Sequence, residues 1–100
     1  LKIDKRGSYD FWTRSDDGSR LYLNDQLIVD NWETHGSIER HGRVFLEKGV
    51  HPIKVEYFQH GGGEELTVSY KGPKLSKQII SPSHLLSEMK QTITKTFDLK

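Results

Sequence analysis

Apolar and polar residues alternate along most of the chain, a pattern typical of β-strands with one buried face. Tyr9, Phe11 and Thr13 alternate with Asp10, Trp12 and Arg14. The same period recurs around Leu21–Leu23, Leu27–Val29, Val44–Leu46, Ile53–Tyr57 and Leu66–Tyr70. Turn-forming residues separate these segments, among them Asn24-Asp25, Lys48-Gly49 and Gly61-Gly62-Gly63. Many short strands with such turns predict an all-β fold, an antiparallel barrel or sandwich.

The pattern changes near the C-terminus. Ser81–Leu86 predicts one short helical segment of about two turns, because serine can cap a helix and proline suits its first position. Residues 91–100 alternate again, with Ile93, Phe97 and Leu99 on one side. We therefore divide the chain into a β domain over residues 1–90 and a segment over residues 91–100. That segment is either a closing strand or a linker to a neighbouring domain.

Composition narrows the classes of function. One hundred residues suffice for one domain, and the net charge of +1 comes from acids and bases spread evenly along the chain. No basic stripe of the kind that binds nucleic acid is present, and no apolar run approaches the roughly 20 residues of a membrane span. The chain begins at Leu1 without a signal-peptide pattern, so we expect it to be a segment of a longer protein.

Signs of catalysis are absent from the sequence. A glycosidase needs two carboxylates roughly 5–10 Å apart across a cleft, and no such pair is marked out by its surroundings. The chain has no cysteine, no nucleophile elbow and no metalloprotease helix. We expect no enzymatic activity from this chain alone.

Four segments are characteristic of a known family: Gly7–Phe11, Ser15–Leu23, Val29–Trp32 and Gly49–Phe58. Their order and spacing resemble the PA-14 domain, a β-barrel module named after the protective antigen of a bacterial toxin. The resemblance runs from about Gly7 to Pro82. The strands that open the family's fold are missing or shortened here, and the C-terminal strand is a candidate replacement for them.

The resemblance implies a range of roles. Such domains occur in glycosidases and other glycan-active proteins, in fungal adhesins that bind sugars through calcium, and in toxins. The SDDGSRLYL and HPIKVEYF segments look most like the forms found in bacterial glycoside hydrolases. An extracellular, periplasmic or cell-surface location follows from the resemblance and not from composition.

Asp16-Asp17 is the sharpest chemical feature of the sequence. In the adhesins that this chain resembles, the matching pair is joined by a cis peptide and coordinates calcium, an ion that prefers six to eight oxygen ligands. The resemblance places another calcium ligand, an asparagine there, at about Gln59, and Gly61 to Gly63 could add carbonyl oxygens. The alternative is that both aspartates only shape a turn through hydrogen bonds to the backbone.

The tryptophans and histidines allow two interpretations each. Trp32 lies in a polar segment, where it either stacks on a sugar ring or plugs one end of the fold. Trp12 faces away from the predicted core and is expected to pack on a neighbouring domain. His35, His41 and His60 lie on loops that could converge, although their spacing is not that of a zinc site. The candidate ligand-contacting residues are Asp16, Asp17, Trp32, Gln59 and His60.

These observations lead to one hypothesis and one alternative. The hypothesis is a non-catalytic carbohydrate-binding accessory module of an extracellular glycan-active protein, with calcium as the candidate cofactor. The alternative is an interaction module that packs on a catalytic glycosidase domain and shapes its substrate entrance without binding sugar. Carbohydrate and neighbouring domains of a longer chain are the expected partners.

Overall fold

A computed structural model describes residues 1–89 and 93–97 of the chain. These residues form ten β-strands and one short helix. The strands are β1 (Lys2–Ile3), β2 (Gly7–Asp16), β3 (Gly18–Leu23), β4 (Gln26–Asn31), β5 (Ile38–Leu46), β6 (Gly49–Val50), β7 (Ile53–Phe58), β8 (Glu65–Gly72), β9 (Leu75–Ile79) and β10 (Thr94–Phe97). The helix α1 (Leu85–Met89) lies between β9 and β10.

The strands form two four-stranded antiparallel sheets and a two-stranded ribbon. One sheet has the order β5-β2-β8-β9 and the other the order β10-β7-β3-β4, while β1 pairs with β6. The two large sheets stay open and bury their inner faces in one common core. The predicted all-β antiparallel fold is confirmed, in its sandwich form and without barrel closure.

The core follows from the two-residue period of the strands. Tyr9 and Phe11 on β2 and Val55 and Tyr57 on β7 point inward, and each is at most 4% exposed. Their neighbours in sequence point to the outer faces, as alternation requires. Burying an apolar side chain of this size contributes about 1.5–3 kcal/mol, so the alternating positions supply most of the driving force for the fold.

The hairpin between β3 and β4 depends on its turn. Asn24 and Asp25 both have positive φ values, 51° and 65°, as the favoured two-residue hairpin turn requires. The register shifts between Leu21 and Tyr22, so that Leu27 pairs with the outward-facing Tyr22. Leu27 is consequently 43% exposed, although strict alternation places it on the buried side.

The helix begins later than the sequence suggests. Ser81 does not cap it, because its backbone N–H donates to the Val68 carbonyl and its Oγ accepts the Val68 N–H at 3.1 Å. The chain is therefore still bound to β8 at Ser81, and α1 begins at Leu85. Leu85 and Met89 are each 1% exposed and join the core.

The C-terminal segment adds a strand to one sheet. Thr94–Phe97 pairs with β7 in antiparallel register, and Phe97 is buried. Ile93, expected on the same side as Phe97, is 59% exposed because it precedes the strand. Leu99, the third residue of that predicted face, lies outside the described residues. Among the described residues, α1 is too short to cross a membrane.

β4 and β5, which belong to different sheets, approach each other closely at Gly42. A Cβ atom added to Gly42 would lie 1.9 Å from the carbonyl oxygen of Ile28. No side chain therefore fits at this position of β5 without moving the backbone of β4.

We expect Gly42→Ala to lower the free energy of unfolding by about 2–3 kcal/mol, because the added methyl group clashes with a backbone oxygen. Gly36→Ala is the matched control, since a Cβ at Gly36 meets nothing within 4 Å. Urea denaturation followed by tryptophan fluorescence measures both. Equal losses in the two variants would contradict the close approach of β4 and β5.

Candidate functional site

Asp16 and Asp17 lie where β2 ends and β3 begins, joined by a cis peptide bond. Both side chains face the β7–β8 loop. A Cβ added to Gly63 would lie 3.2 Å from Asp16 Oδ2, and Asp17 Oδ2 accepts the backbone N–H of His60 at 2.6 Å. The structure thus brings the two adjacent carboxylates to one loop.

Asp17 joins two loops through its carboxylate. Oδ2 binds His60 in the β7–β8 loop, and Oδ1 accepts the backbone N–H of His35 in the β4–β5 loop at 3.0 Å. Asp17 is only 4% exposed, so these hydrogen bonds to a charged acceptor form away from water. Such bonds are roughly twice as strong as neutral ones. The loops on both sides of the site are therefore held in place by one side chain.

A buried polar network lies beneath the aspartate pair. Ser15 Oγ donates to the Asp17 carbonyl at 2.8 Å and lies 2.7 Å from Ser19 Oγ, which contacts Thr13 Oγ1 at 2.9 Å. Asn31 Nδ2 donates to Ser15 Oγ and to the Ile38 carbonyl. These residues were not among the sequence candidates. In the sequence, the feature that could have indicated this network is a group of polar residues at inward-facing positions of β2, β3 and β4.

Gln59 closes the glycine loop. Its Nε2 donates to the carbonyl oxygens of Gly62 and Gly63 at 3.2 and 3.0 Å. Gly61 and Gly62 adopt φ values of 79° and 77°, which favour glycine and allow the tight return of the chain. In this arrangement the amide nitrogen of Gln59 faces the loop. The loop in turn lies against the Asp16 carboxylate.

Trp32 packs on Phe58, the residue whose ring covers Gly18 next to the aspartate pair. Its ring packs edge-on against Phe58 at a centroid distance of 4.6 Å, and the Arg20 guanidinium lies 4.5 Å from its centroid. Phe58 covers Gly18, where an added Cβ would lie 2.1 Å from the ring. Trp32 is half-buried, so it anchors the loop after β4 and keeps part of its ring at the surface.

The predicted histidines separate into two groups. His35 and His60 meet at Asp17 through their backbone N–H groups and not through their rings. His41 lies on the outer face of the β5-β2-β8-β9 sheet. There its Nε2 is 2.7 Å from Asp10 Oδ1, and its ring is 5.1 Å from that of Trp12. Lys77 Nζ lies 4.3 Å from the Trp12 centroid, so this outward tryptophan is partly covered by its own domain.

The electrostatics of the site are negative. Burial, and then the charges of Glu64, Asp16 and Asp17, raise the pKa of the Tyr57 hydroxyl to about 12. This hydroxyl donates to the Asp16 carbonyl at 2.6 Å. Across residues 1–89 and 93–97, no cationic side chain pairs with the carboxylate of Asp16 or Asp17.

The donor set fits a hard cation better than a transition metal. The two aspartates offer carboxylate oxygens, which suit calcium, whereas the described carbonyl oxygens of Gly62 and Gly63 accept from Gln59 Nε2. In the described part of the chain, no three histidine or acidic side chains lie close enough to hold a metal by themselves. A cation here needs backbone carbonyls or water in addition to the two aspartates.

The raised pKa of Tyr57 leads us to expect a lower free energy of unfolding at alkaline pH. The unfolded chain releases a tyrosine proton near pH 10, whereas the folded chain keeps that of Tyr57 until about pH 12. The unfolded state then binds fewer protons, so the free energy of unfolding falls between these values, by at most about 3 kcal/mol. We expect Tyr57→Phe to flatten this fall in urea titrations at successive pH values. An unchanged slope would contradict the assignment.

Comparison with known proteins gives the chain's family. The family model described as PA14 domain matches residues 1–84. The anti-sigma-I factor RsgI3 of Acetivibrio thermocellus is 33% identical over an alignment of 87 residues, which covers 84% of this chain and 14% of that protein. The chain therefore spans a small part of this curated relative.

Two solved structures extend the comparison. An anti-sigma factor domain-containing protein has a TM-score of 0.75 and 29% identity over 79% of this chain and 28% of its own. A PA14 sugar-binding domain from an RTX adhesin has a TM-score of 0.66 and 26% identity over 75% of this chain and 44% of its own. Together with the match over residues 1–84, they establish that the chain belongs to the PA14 domain family.

Proposed function

We propose that the chain is a carbohydrate-binding module of a longer protein and that it binds sugar at the Asp16–Asp17 end. The observation that carries this proposal is the buried Asp17 carboxylate, 4% exposed and without a cationic partner among the described residues. Two backbone N–H groups stabilise this carboxylate, and a bound cation would add the opposite charge that the described residues do not supply. The likeness to a sugar-binding PA14 domain adds support.

Calcium is the proposed cation. Asp16 and Asp17 would hold it with carboxylate oxygens, and the Gln59–Gly63 loop would add carbonyl or amide oxygens. When bound, calcium supplies open coordination positions for sugar hydroxyls. The chain's own part is to hold the site: Asp17 fixes the two flanking loops, and Gln59 keeps the glycine loop against Asp16.

The remaining sequence candidates would contact the sugar at the margin of this site. His60 follows Gln59 in the β7–β8 loop and is exposed, so its ring is accessible to a ligand. Trp32 packs on Phe58 at the end of β7, and the exposed part of its ring can pack on the apolar face of a pyranose. The site is shallow and polar, which suits affinities in the millimolar to micromolar range.

The parent protein is a separate question. The relatives described above are named as anti-sigma factors and an adhesin, whereas the sequence resemblance pointed to glycoside hydrolases. We propose that the module supplies glycan recognition to its parent from outside the cell and has no catalytic role of its own. The same site serves either kind of parent, because it binds sugar independently of what the other domains do.

A glycan array with the purified chain tests the proposal, run in calcium buffer and repeated with a chelator. We expect binding in calcium that the chelator abolishes. Binding that resists the chelator would reject the calcium bridge and keep sugar recognition. No binding in either buffer would reject the carbohydrate module and favour the alternative, a module that packs on neighbouring domains.

The variant Asp16→Asn distinguishes an effect on cation binding from an effect on the stability of the fold. The Asp16 carboxylate has no hydrogen-bond partner among the described residues, so the isosteric change should leave stability nearly unaltered and abolish calcium binding. In the unchanged chain, calcium at about one hundred times its Kd should raise the free energy of unfolding by about 2.7 kcal/mol. Calorimetric titration and denaturation measure the two effects.

Asp25→Asn is the control for Asp16→Asn. Asp25 is an exposed residue of the β3–β4 turn with positive φ, a conformation that asparagine also tolerates. We expect its calcium affinity to equal that of the unchanged chain. Calcium binding that survives Asp16→Asn would place the cation elsewhere.

A further inference from the structure

A cavity of about 140 Å³ lies at the opposite end of the sandwich from the aspartate pair. It is lined by the β1–β2 connection, the start of β2 and the β8–β9 turn, with Lys5, Tyr9, Tyr70 and Lys74 among its residues. Tyr9 lies near the start of β2 and Asp16 at its end, a separation of about 23 Å along an extended strand. The cavity and the aspartate pair are therefore separate places on the molecule.

Two glycines allow the walls of this cavity to close. A Cβ added to Gly7 would lie 2.6 Å from Pro73 Cγ, and one added to Gly72 would lie 2.1 Å from Cε2 of Tyr9. The β8–β9 turn thus packs directly on the start of β2. The Tyr9 hydroxyl donates to the Lys5 carbonyl and so holds the β1–β2 connection against the same ring. The walls are therefore fixed by packing and by this hydrogen bond.

Tyr70 presents an unpaired hydroxyl to the cavity. Its ring stacks on that of Tyr9 with the centroids 6.3 Å apart, and the residue is 8% exposed. In the described part of the chain the hydroxyl has no hydrogen-bond partner, and it is not sealed from solvent, so it opens into the cavity. Burial, and then the charges of Tyr9 and Asp4, raise its pKa, so it stays protonated. A largely buried polar group without a partner is rare, and a ligand can supply the missing hydrogen bond.

The charges around the cavity are mainly positive. Three lysines and one aspartate line it, which gives a net charge of +2. Lys2 Nζ lies 4.0 Å from Asp4 Oδ1 and offsets that carboxylate. Lys5 and Lys74 have no acidic partner among the residues that the structure describes. The cavity therefore attracts a negatively charged group.

Asp4 limits where that negative group can bind. Because the negative charge of Asp4 acts on the Tyr70 hydroxyl, an anion bound at that hydroxyl would be repelled. A ligand hydroxyl avoids the repulsion, since it can accept from Tyr70 and donate to Asp4. The anionic group then belongs beside the unpaired lysines. An acidic sugar carries both groups on one ring, and its size suits a cavity below the roughly 300–1,000 Å³ of drug-sized sites.

We infer that this cavity is a second ligand site, which takes one acidic sugar residue. A hydroxyl of the sugar binds Tyr70 and Asp4, and its carboxylate faces Lys5 and the turn residue Lys74. The inference rests on the proposed carbohydrate function for the class of ligand and adds a preference for acidic glycans. Since no cation takes part, binding in this cavity does not depend on calcium. With one site at each end, the module can bind two glycan segments at once.

The test is an NMR titration of the ¹⁵N-labelled chain in chelator buffer, which disables the proposed calcium site. The probes are the methyl glycosides of glucuronic and galacturonic acid, each matched by the methyl glycoside of the neutral sugar. Sodium acetate and sulfate test for a bare anion at equal ionic strength. Each probe reaches about 100 mM, which exceeds the affinities expected of a shallow polar site.

We expect a uronide to shift the backbone amides of Ile3, Lys74 and Leu75 saturably, and more strongly than its neutral partner or either simple anion. These three residues line the cavity. The Trp32 indole N–H reports on the aspartate end and should not shift.

Tyr70→Phe and Lys74→Asn test the two halves of the site. Tyr70→Phe removes a hydroxyl that has no partner in the described chain, so the fold keeps its hydrogen bonds. Lys74 has a φ of 54°, which asparagine tolerates, so Lys74→Asn removes the charge and keeps the turn. We expect each variant to weaken uronide binding about tenfold, the value of one hydrogen bond to a charged or polar group. Lys48→Asn, at an exposed lysine between β5 and β6, is the control and should leave the affinity unchanged.

Each outcome decides the inference. Chelator-sensitive array binding without shifts at the cavity would reject this second site and leave the proposed function standing. Shifts at the cavity without chelator-sensitive array binding would support the second site and reject the aspartate site. No response in either experiment would reject both. Equal binding of the neutral glycosides, tighter binding of acetate or sulfate, or equal weakening by Lys48→Asn would overturn the assignment of an acidic sugar.

Discussion

The Asp17 carboxylate is the interaction on which the functional end of this domain depends. Its two oxygens accept backbone N–H groups from loops 18 and 43 residues away in sequence, and its own carbonyl accepts Ser15 Oγ from below. Removing the carboxylate would leave two amides without acceptors and two loops without an anchor. Hydrogen bonds to a buried charge each contribute about 1.5–3 kcal/mol, so losing both would free two loops at once.

The sandwich gives this carboxylate its surroundings. β2 ends in one sheet and β3 begins in the other, so Asp16 and Asp17 lie at the point where the chain passes between sheets. The β4–β5 and β7–β8 loops leave the fold at the same end, which is why they reach the aspartates. The end of β4 is joined to the start of β5 at this same end, because Asn31 Nδ2 donates to the Ile38 carbonyl.

Alternation of residue types was enough to predict the core, because the period of two survives wherever strands have one buried face. Tyr9, Phe11, Val55 and Tyr57 are buried as that pattern requires. The pattern failed at Leu27, where a register shift reverses the faces and no local signal announces it.

Other features depend on partners that are distant in sequence. The helix was placed too early, since Ser81 binds Val68 rather than the helix, and thirteen residues separate the two. The aspartate pair itself was found through its family resemblance. Its contacts with His35 and His60 could not be predicted in this way. Both use backbone N–H groups, which every residue except proline has, so the residue types at these positions do not indicate them.

The edge strand β9 has a consequence for a module that sits beside other domains in a long chain. Its register with β8 shifts between Tyr70 and Gly72, Lys74 adopts a φ of 54°, and Lys77 turns back over Trp12. An irregular, lysine-bearing edge is a poor template for another strand, even though Ile79 is exposed there. Pairing of β9 with an edge strand of another copy is therefore disfavoured, even where copies are crowded at high local concentration.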